Sequence, residues 1–378
     1  MKRMIIVLLF CLFLVPKFGY SLELIPNAKS GILIEINSGK IIYEKNKDLR
    51  VSIASLTKMV AQIVIFEEIE KGKISLDDIV TVSHNASSFG GSQIYLEEGE
   101  KMSVRDLIKG ISVASGNDAT VAMAEYISGS EEKFVVRMND VAKRLKLKNT
   151  HFVNCTGLDE DNHYSSSYDL AIIARELVLK HPKILEFSSI YEDYLRKDTA
   201  NPFWLVNTNK LINFYEGADG LKTGHTDNAG YCLASTAKRN NLRLIGIVLG
   251  EKDSKIRNRE MMDLLDYGFQ SIKINCIYKK GKIVDNVKIE LTGENVPIAL
   301  KNDLCVIEEK DDIKYKYLIN KNKIKLPIKA GDVVGNIEVL SKNEIIARED
   351  LTVLDDINKM KLIEFLKYSL LNFILGVF

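Results

Sequence analysis

The period of the apolar residues changes along this chain in an order that few folds accommodate. Gly31–Ile36 and Lys40–Glu44 are strand-like, and Asn37-Ser38-Gly39 between them reads as a hairpin turn. An apolar segment from Ser55 to Lys71 ends at Gly72, with Glu67, Glu68 and Lys71 late in it, and predicts a helix buried at its start. Helical spacing dominates from Asp106 to Leu147 and from Ser166 to Leu179. Near Gly230 the period returns to two: Tyr231–Thr236, a polar turn over Lys238–Asn241, then Leu242–Leu249, a hairpin of two buried strands. Met261–Phe269 is helical again. Strands at both ends with helices between predict an α/β (α+β) layered domain over 22–270, an antiparallel sheet flanked by helices.

Three further segments have their own composition. Lys2 and Arg3, the apolar run Met4–Val15 and the small residues Gly19 and Ser21 form a signal peptide over 1–21. The alternative is an uncleaved anchor, and on either reading the rest is exported. From 271 to 355 short runs such as Val287–Leu291, Ile324–Ile328, Val333–Leu340 and Ile345–Val353 alternate with Gly, Asn and Asp turns, which predicts a small all-β domain. Over 356–378 a helix places Leu362, Ile363, Leu366, Leu370, Phe373, Ile374 and Val377 on one face, with Lys361, Glu364, Lys367 and Asn372 elsewhere. That run is too short and charged to span a bilayer, so an amphipathic anchor in the interface is expected rather than a terminal helix packed on the protein.

Fifty-two basic and 51 acidic side chains leave a formal charge of +1, which gives no electrostatic footprint for nucleic acid. Of five cysteines, Cys11 leaves with the signal. Cys155, Cys232, Cys276 and Cys305 are widely separated, and are expected as buried thiols rather than a disulfide framework or a zinc site.

Chemistry concentrates in three short segments. In Ser55-Leu56-Thr57-Lys58 at a helix start, residues three apart share a face, so Lys58 reaches the Ser55 hydroxyl. Serine needs a neighbour to take its proton, and a lysine does so only when burial lowers its pKa. Met59-Val60-Ala61 supplies that apolar setting. Two other S-x-x-K segments are set aside. Ser130–Lys133 lies beside Ser128–Glu131, which looks like a capping box, and Ser235–Lys238 lies in a strand, where such positions face apart. In Ser115-Gly116-Asn117, between helical segments, Ser115 is placed to relay a proton and Asn117 to hold the lysine and a substrate amide. In Lys222-Thr223-Gly224, at the strand pair, Lys222 offers a cation to a carboxylate and Gly224 leaves room for a substrate backbone.

Taken in order, S-x-x-K, S-x-N and K-T-G form the signature of penicillin-binding proteins and β-lactamases. The chain closely resembles the low-molecular-mass penicillin-binding D-alanyl-D-alanine carboxypeptidases, also in Asn154-Cys-Thr-Gly-Leu158, His163-Tyr-Ser-Ser166 and Asp219–Thr226 with Ala229-Gly-Tyr231. The resemblance implies a serine carboxypeptidase that removes the terminal D-alanine of the peptidoglycan pentapeptide stem and is acylated by β-lactams. It implies Ser55 as nucleophile, Lys58 as proton acceptor, Ser115 and Asn117 in proton transfer and orientation, and Lys222 with Thr223 on the terminal carboxylate. The oxyanion hole would be the backbone N–H groups of Ser55 and His225. No metal or cofactor is expected; Asp159-Glu160-Asp161 with His163 has no second histidine at ligand spacing and reads as a solvated loop. The implied location is the outer face of the cytoplasmic membrane. Competing readings are a β-lactamase, an endopeptidase or transpeptidase on the same fold, and a non-catalytic wall-binding scaffold.

Overall fold

The structure, a computed structural model, describes residues 23–289, 294–307, 315–322, 326–341 and 343–358. The expected signal peptide and most of the expected terminal helix lie outside them. The chain opens with strands β1 (Ser30–Glu35) and β2 (Ile41–Lys45), and a 3-10 turn at Ala54–Thr57 runs into helix α1 (Lys58–Glu70). The middle contains β3 (Ile79–Thr81), α2 (His84–Ser88), β4 (Lys101–Ser103), α3 (Val104–Lys109), a π-helical turn over Gly110–Ala114, α4 (Asn117–Ser128), α5 (Glu131–Arg144), α6 (Ser167–Lys180), α7 (Ile184–Ser188), β5 (Glu192–Leu195), β6 (Phe203–Val206) and α8 (Leu211–Phe214). Strands β7 (Ala218–Thr226), β8 (Gly230–Arg239) and β9 (Leu242–Glu251) and helix α9 (Ser254–Ser271) follow.

One antiparallel sheet, in the order β2-β1-β9-β8-β7, organises these elements. Period-two alternation divides its side chains between two cores. Ile32, Ile34, Ile245, Ile247 and Leu249 join the helical layer of α1, α4, α5 and α6, while Leu33, Leu244 and Val248 pack with Met261, Leu264 and Leu265 of α9. Helix α9 starts at Ser254 rather than Met261, capped by the Asp253 carboxylate, which accepts from the N–H groups of Lys255 and Ile256. Its first turn is too polar for the 3.6-residue pattern to show. Helix α5 is capped by Ser130, not by the Ser128–Glu131 pair. Gly129, at φ +80, terminates α4 and leaves Ser130 in the extended conformation of a cap, its hydroxyl accepting from Lys133 N–H.

The rest of the described chain is all β. Strands β10 (Ile274–Tyr278) and β13 (Leu304–Ile307) pair with each other. A five-stranded antiparallel sheet takes β11 (Ile283–Lys288), β12 (Asn295–Leu300), β14 (Lys316–Lys321), β15 (Val333–Ser341) and β16 (Glu344–Val353) in the order β11-β12-β16-β15-β14. This part has its own core of Ile298, Leu304, Val306, Ile337, Val339 and Leu351, among others. The reading of Cys155, Cys232, Cys276 and Cys305 all as thiols is corrected here. Cys155 and Cys232 are free and buried, but Cys276 and Cys305 form a disulfide. Antiparallel register sets them opposite each other on β10 and β13, an adjacency that no local spacing in the sequence reveals.

Candidate active site

The S-x-x-K segment folds as its spacing requires. Ala54 holds a left-handed backbone (φ +48), Ser55 lies in the 3-10 turn, and Lys58 is the first residue of α1. Lys58 Nζ stands 2.9 Å from Ser55 Oγ, 2.7 Å from Asn117 Oδ1 and 2.7 Å from the Thr156 carbonyl. Asn117 Nδ2 donates to the Gly90 carbonyl at 2.7 Å, which turns its Oδ1 toward the amine. Lys58 is wholly buried, and burial lowers its pKa to about 7. A neutral amine has two N–H donors and one lone pair. Asn117 Oδ1 and the Thr156 carbonyl accept only, so they take the two protons, and the lone pair falls to the Ser55 hydroxyl.

The S-x-N segment is a turn between helices. Ser115 ends the π-helical turn in the left-handed conformation (φ 64, ψ 28) and is buried, with no hydrogen bond from its hydroxyl to a described residue. Asn117 begins α4. Buried Asp118 accepts from the backbone N–H groups of Ile94, Leu96 and Ala119, which holds the 90–96 loop over the first turn of α4.

The K-T-G segment lies on β7, which is an edge of the sheet among the described residues. Lys222 is buried, and its Nζ donates to the Thr223 carbonyl at 2.8 Å. Burial pushes its amine well below the usual lysine range, and the positive charges of Lys58 and Arg257 add to the effect. Arg257, on α9, is itself buried and hydrogen-bonds the Cys232 carbonyl and the Asn258 side chain. Thr223 Oγ1 donates to Thr208 Oγ1 at 2.7 Å. The expectation for Gly224 needs correction: its missing side chain does not leave open room. A Cβ there would stand 2.9 Å from the Ile53 carbonyl and 3.0 Å from Ala54 Cβ, so glycine lets the nucleophile turn pack against β7. The His225 ring is exposed and lies 4.0 Å from the Tyr231 ring.

The three segments therefore meet around the Ser55 turn. The peptidase S11 family model, described as D-alanyl-D-alanine carboxypeptidase, matches residues 23–253. The chain belongs to the D-alanyl-D-alanine carboxypeptidase family. The model for the penicillin-binding protein 5 C-terminal domain matches residues 273–359 of this carboxypeptidase. It is 45% identical over 357 residues to the D-alanyl-D-alanine carboxypeptidase DacF of Bacillus subtilis (strain 168), covering 92% of this chain and 90% of that one. Against DacA of Escherichia coli (strain K12) it is 36% identical over 342 residues, covering 88% and 84%. Among solved structures it resembles penicillin-binding protein 5 of Haemophilus influenzae (TM-score 0.66, 33% identity, 88% and 98% covered). It also resembles ampicillin-bound penicillin-binding protein D2 of Listeria monocytogenes (TM-score 0.59, 31% identity, 64% and 98% covered).

Several residues that build the carboxypeptidase site carry no sequence signal of their role. The Thr156 carbonyl contributes backbone, so its residue type says nothing. Gly157 (φ +86) is legible only in three dimensions: a Cβ would stand 1.9 Å from the Ala54 carbonyl. Thr208 and Arg257 lie in segments without a motif. His163 binds no described carboxylate. Its Nδ1 accepts from Val153 N–H, so Nε2 carries the proton and donates to Thr57 Oγ1 at 2.8 Å, and burial lowers its pKa to about 4. Asp159 accepts from Thr226 Oγ1, tying the acidic loop to the end of β7.

Proposed function

We propose that this carboxypeptidase acts through a Ser55 acyl-enzyme. Ser55 Oγ attacks the carbonyl carbon of the D-Ala-D-Ala bond while the Lys58 lone pair takes the hydroxyl proton. The oxyanion forms against the backbone N–H groups of Ser55 and His225; the first lies in an opening helical turn, where N–H groups lack intrahelical partners. The C–N bond breaks as the leaving amine receives a proton from Lys58 through the unpartnered Ser115 hydroxyl. Terminal D-alanine departs, and water hydrolyses the ester to free Ser55 and the shortened peptide. Asn117 holds the amine and the substrate amide. The terminal carboxylate binds toward Lys222 and Thr223, where an arriving anion offsets the burial and the Arg257 charge that disfavour the charged form of the Lys222 amine. The observation that most supports this reading is the Lys58 amine, fully buried between two acceptors with its third direction on Ser55.

β-Lactams would acylate the same oxygen. Fluorescent penicillin should label the purified protein and not Ser55→Ala, and a soluble pentapeptide should release D-alanine; labelling that persists in the variant removes Ser55 from its role. Rapid turnover of the penicillin would indicate a β-lactamase, and absence of both reactions a scaffold. The reading extends to the remaining segments: 1–21 exports the protein, 271–355 is a β domain beyond the catalytic one, and 356–378 anchors the protein on the outer face of the cytoplasmic membrane. Among the described residues no helix is long and apolar enough to cross a membrane.

A further inference from the structure

The ribbon of β5 and β6 stands beside the cleft. One of its faces is buried: Leu195 and Leu205 pack into the core, and Phe203 meets the Tyr95 ring edge-on at 5.6 Å. Arg196 fixes this side by donating to the carbonyls of Ile94 and Tyr95 and to the Glu100 carboxylate. On the opposite face Tyr194 and Trp204 are direct cross-strand partners, yet they are 45% and 55% exposed. Trp204 is the only tryptophan in the chain. Leaving two large rings side by side in water forfeits the burial that aromatic residues normally gain.

The chain leads from this face directly to the catalytic segments. Four residues after Trp204, Thr208 accepts from the Thr223 hydroxyl of the K-T-G segment, and its N–H donates to the Val113 carbonyl on the turn that ends at Ser115. Four residues of extended chain span at most about 14 Å. A five-residue stem peptide spans at most about 18 Å. A peptide whose terminal residues lie at Ser55 therefore has its attachment point within reach of the rings. Pyranose rings present flat C–H faces to aromatic rings and hydroxyl and amide groups to an indole N–H or a phenol. Exposed Glu192 on the same face makes it a poor match for an anionic lipid surface.

We propose that Tyr194 and Trp204 form a platform that binds the glycan strand carrying the substrate peptide, so that the enzyme engages polymeric wall at two points. This rests on the carboxypeptidase reading for its substrate, but not on the Ser55 chemistry for its test. The probe is a neutral oligomer of N-acetylglucosamine, titrated into the full-length protein while intrinsic tryptophan fluorescence is followed. A saturable shift is expected, weakened at least fivefold by Tyr194→Ala, which keeps the reporter. In a second measurement, Trp204→Ala should lower kcat/KM on glycan-borne peptide about fivefold relative to that on a free pentapeptide, and Trp204→Phe should restore much of the ratio. No response to glycan, a response only to anionic lipid vesicles, or an equal loss on both substrates would overturn the proposal. An equal loss would mean that the ring pair serves only the stability of the ribbon. Failure of penicillin labelling would instead refute the Ser55 chemistry and leave the fluorescence result standing.

Discussion

The Lys58 amine is where burial becomes reactivity. Its pKa is lowered from 10.5 to about 7, a difference on the order of 5 kcal/mol between its charged and neutral forms. Between those two values the folded protein has released a proton that the unfolded chain still holds. The stability cost of this site is therefore largest below about pH 7 and fades as pH rises toward 10.5. Catalysis takes the same sign. Above about pH 7 the amine is neutral and Ser55 can be deprotonated; below it, the acylation rate should fall about tenfold per pH unit. Single-turnover acylation by a fluorescent penicillin between pH 5 and 9 measures this, and a flat profile would exclude Lys58 as the base. His163, whose pKa is about 4, does not contribute to that limb. The Ser55–Lys58 contact was legible in the sequence, because three-residue spacing on a helix is local geometry. The two acceptors that direct the lone pair were less so: Asn117 stood in a recognisable turn, whereas the Thr156 carbonyl is backbone and leaves no trace in residue type.

Among the elements, the 154–158 loop and strand β7 press on the nucleophile turn from two sides, and each does so through a glycine. Gly157 combines a positive φ with a close approach to the Ala54 carbonyl. Alanine there meets both a left-handed backbone penalty of about 1–2 kcal/mol and a backbone clash. Displacing the loop withdraws the Thr156 carbonyl from Lys58, so Gly157→Ala should acylate about a hundredfold more slowly, the scale of a misplacement of about 1 Å at a reacting group. Acylation kinetics on the variant, with circular dichroism to confirm folding, test this; an unchanged rate would separate the loop from the base. The long elements followed from period and turn chemistry, whereas the short β3–β6, α2, α7 and α8 are too brief to show a period and were not foreseen. Boundaries failed where polar residues obscured the period, at the first turn of α9, and where two serines competed for one cap, at α5.

On the scale of the whole molecule, β1 enters from the start of the chain and pairs with β9, whose opposite neighbour β8 carries β7 and the K-T-G segment. The β domain is pinned by the Cys276–Cys305 disulfide, which closes a separation of 29 residues and contributes about 3–4 kcal/mol by restricting the unfolded chain. The tail makes its own prediction: deleting residues 357–378 should move the protein from the membrane fraction to the soluble one, and an unchanged distribution after fractionation would refute the anchor. The sequence by itself determined the layered α/β class, the all-β second part, the helix start that joins Ser55 to Lys58, and the three motifs in their order. These depend on periods and spacings of a few residues, which a linear chain displays directly. Only the tertiary structure decided that Gly224 receives the nucleophile turn, that the Thr156 carbonyl joins Asn117 at the amine, that Arg257 stands behind Lys222, and that two distant cysteines bond. Each joins residues brought together by strand register and core packing, and a contact made across the fold leaves no mark on the local pattern of either partner.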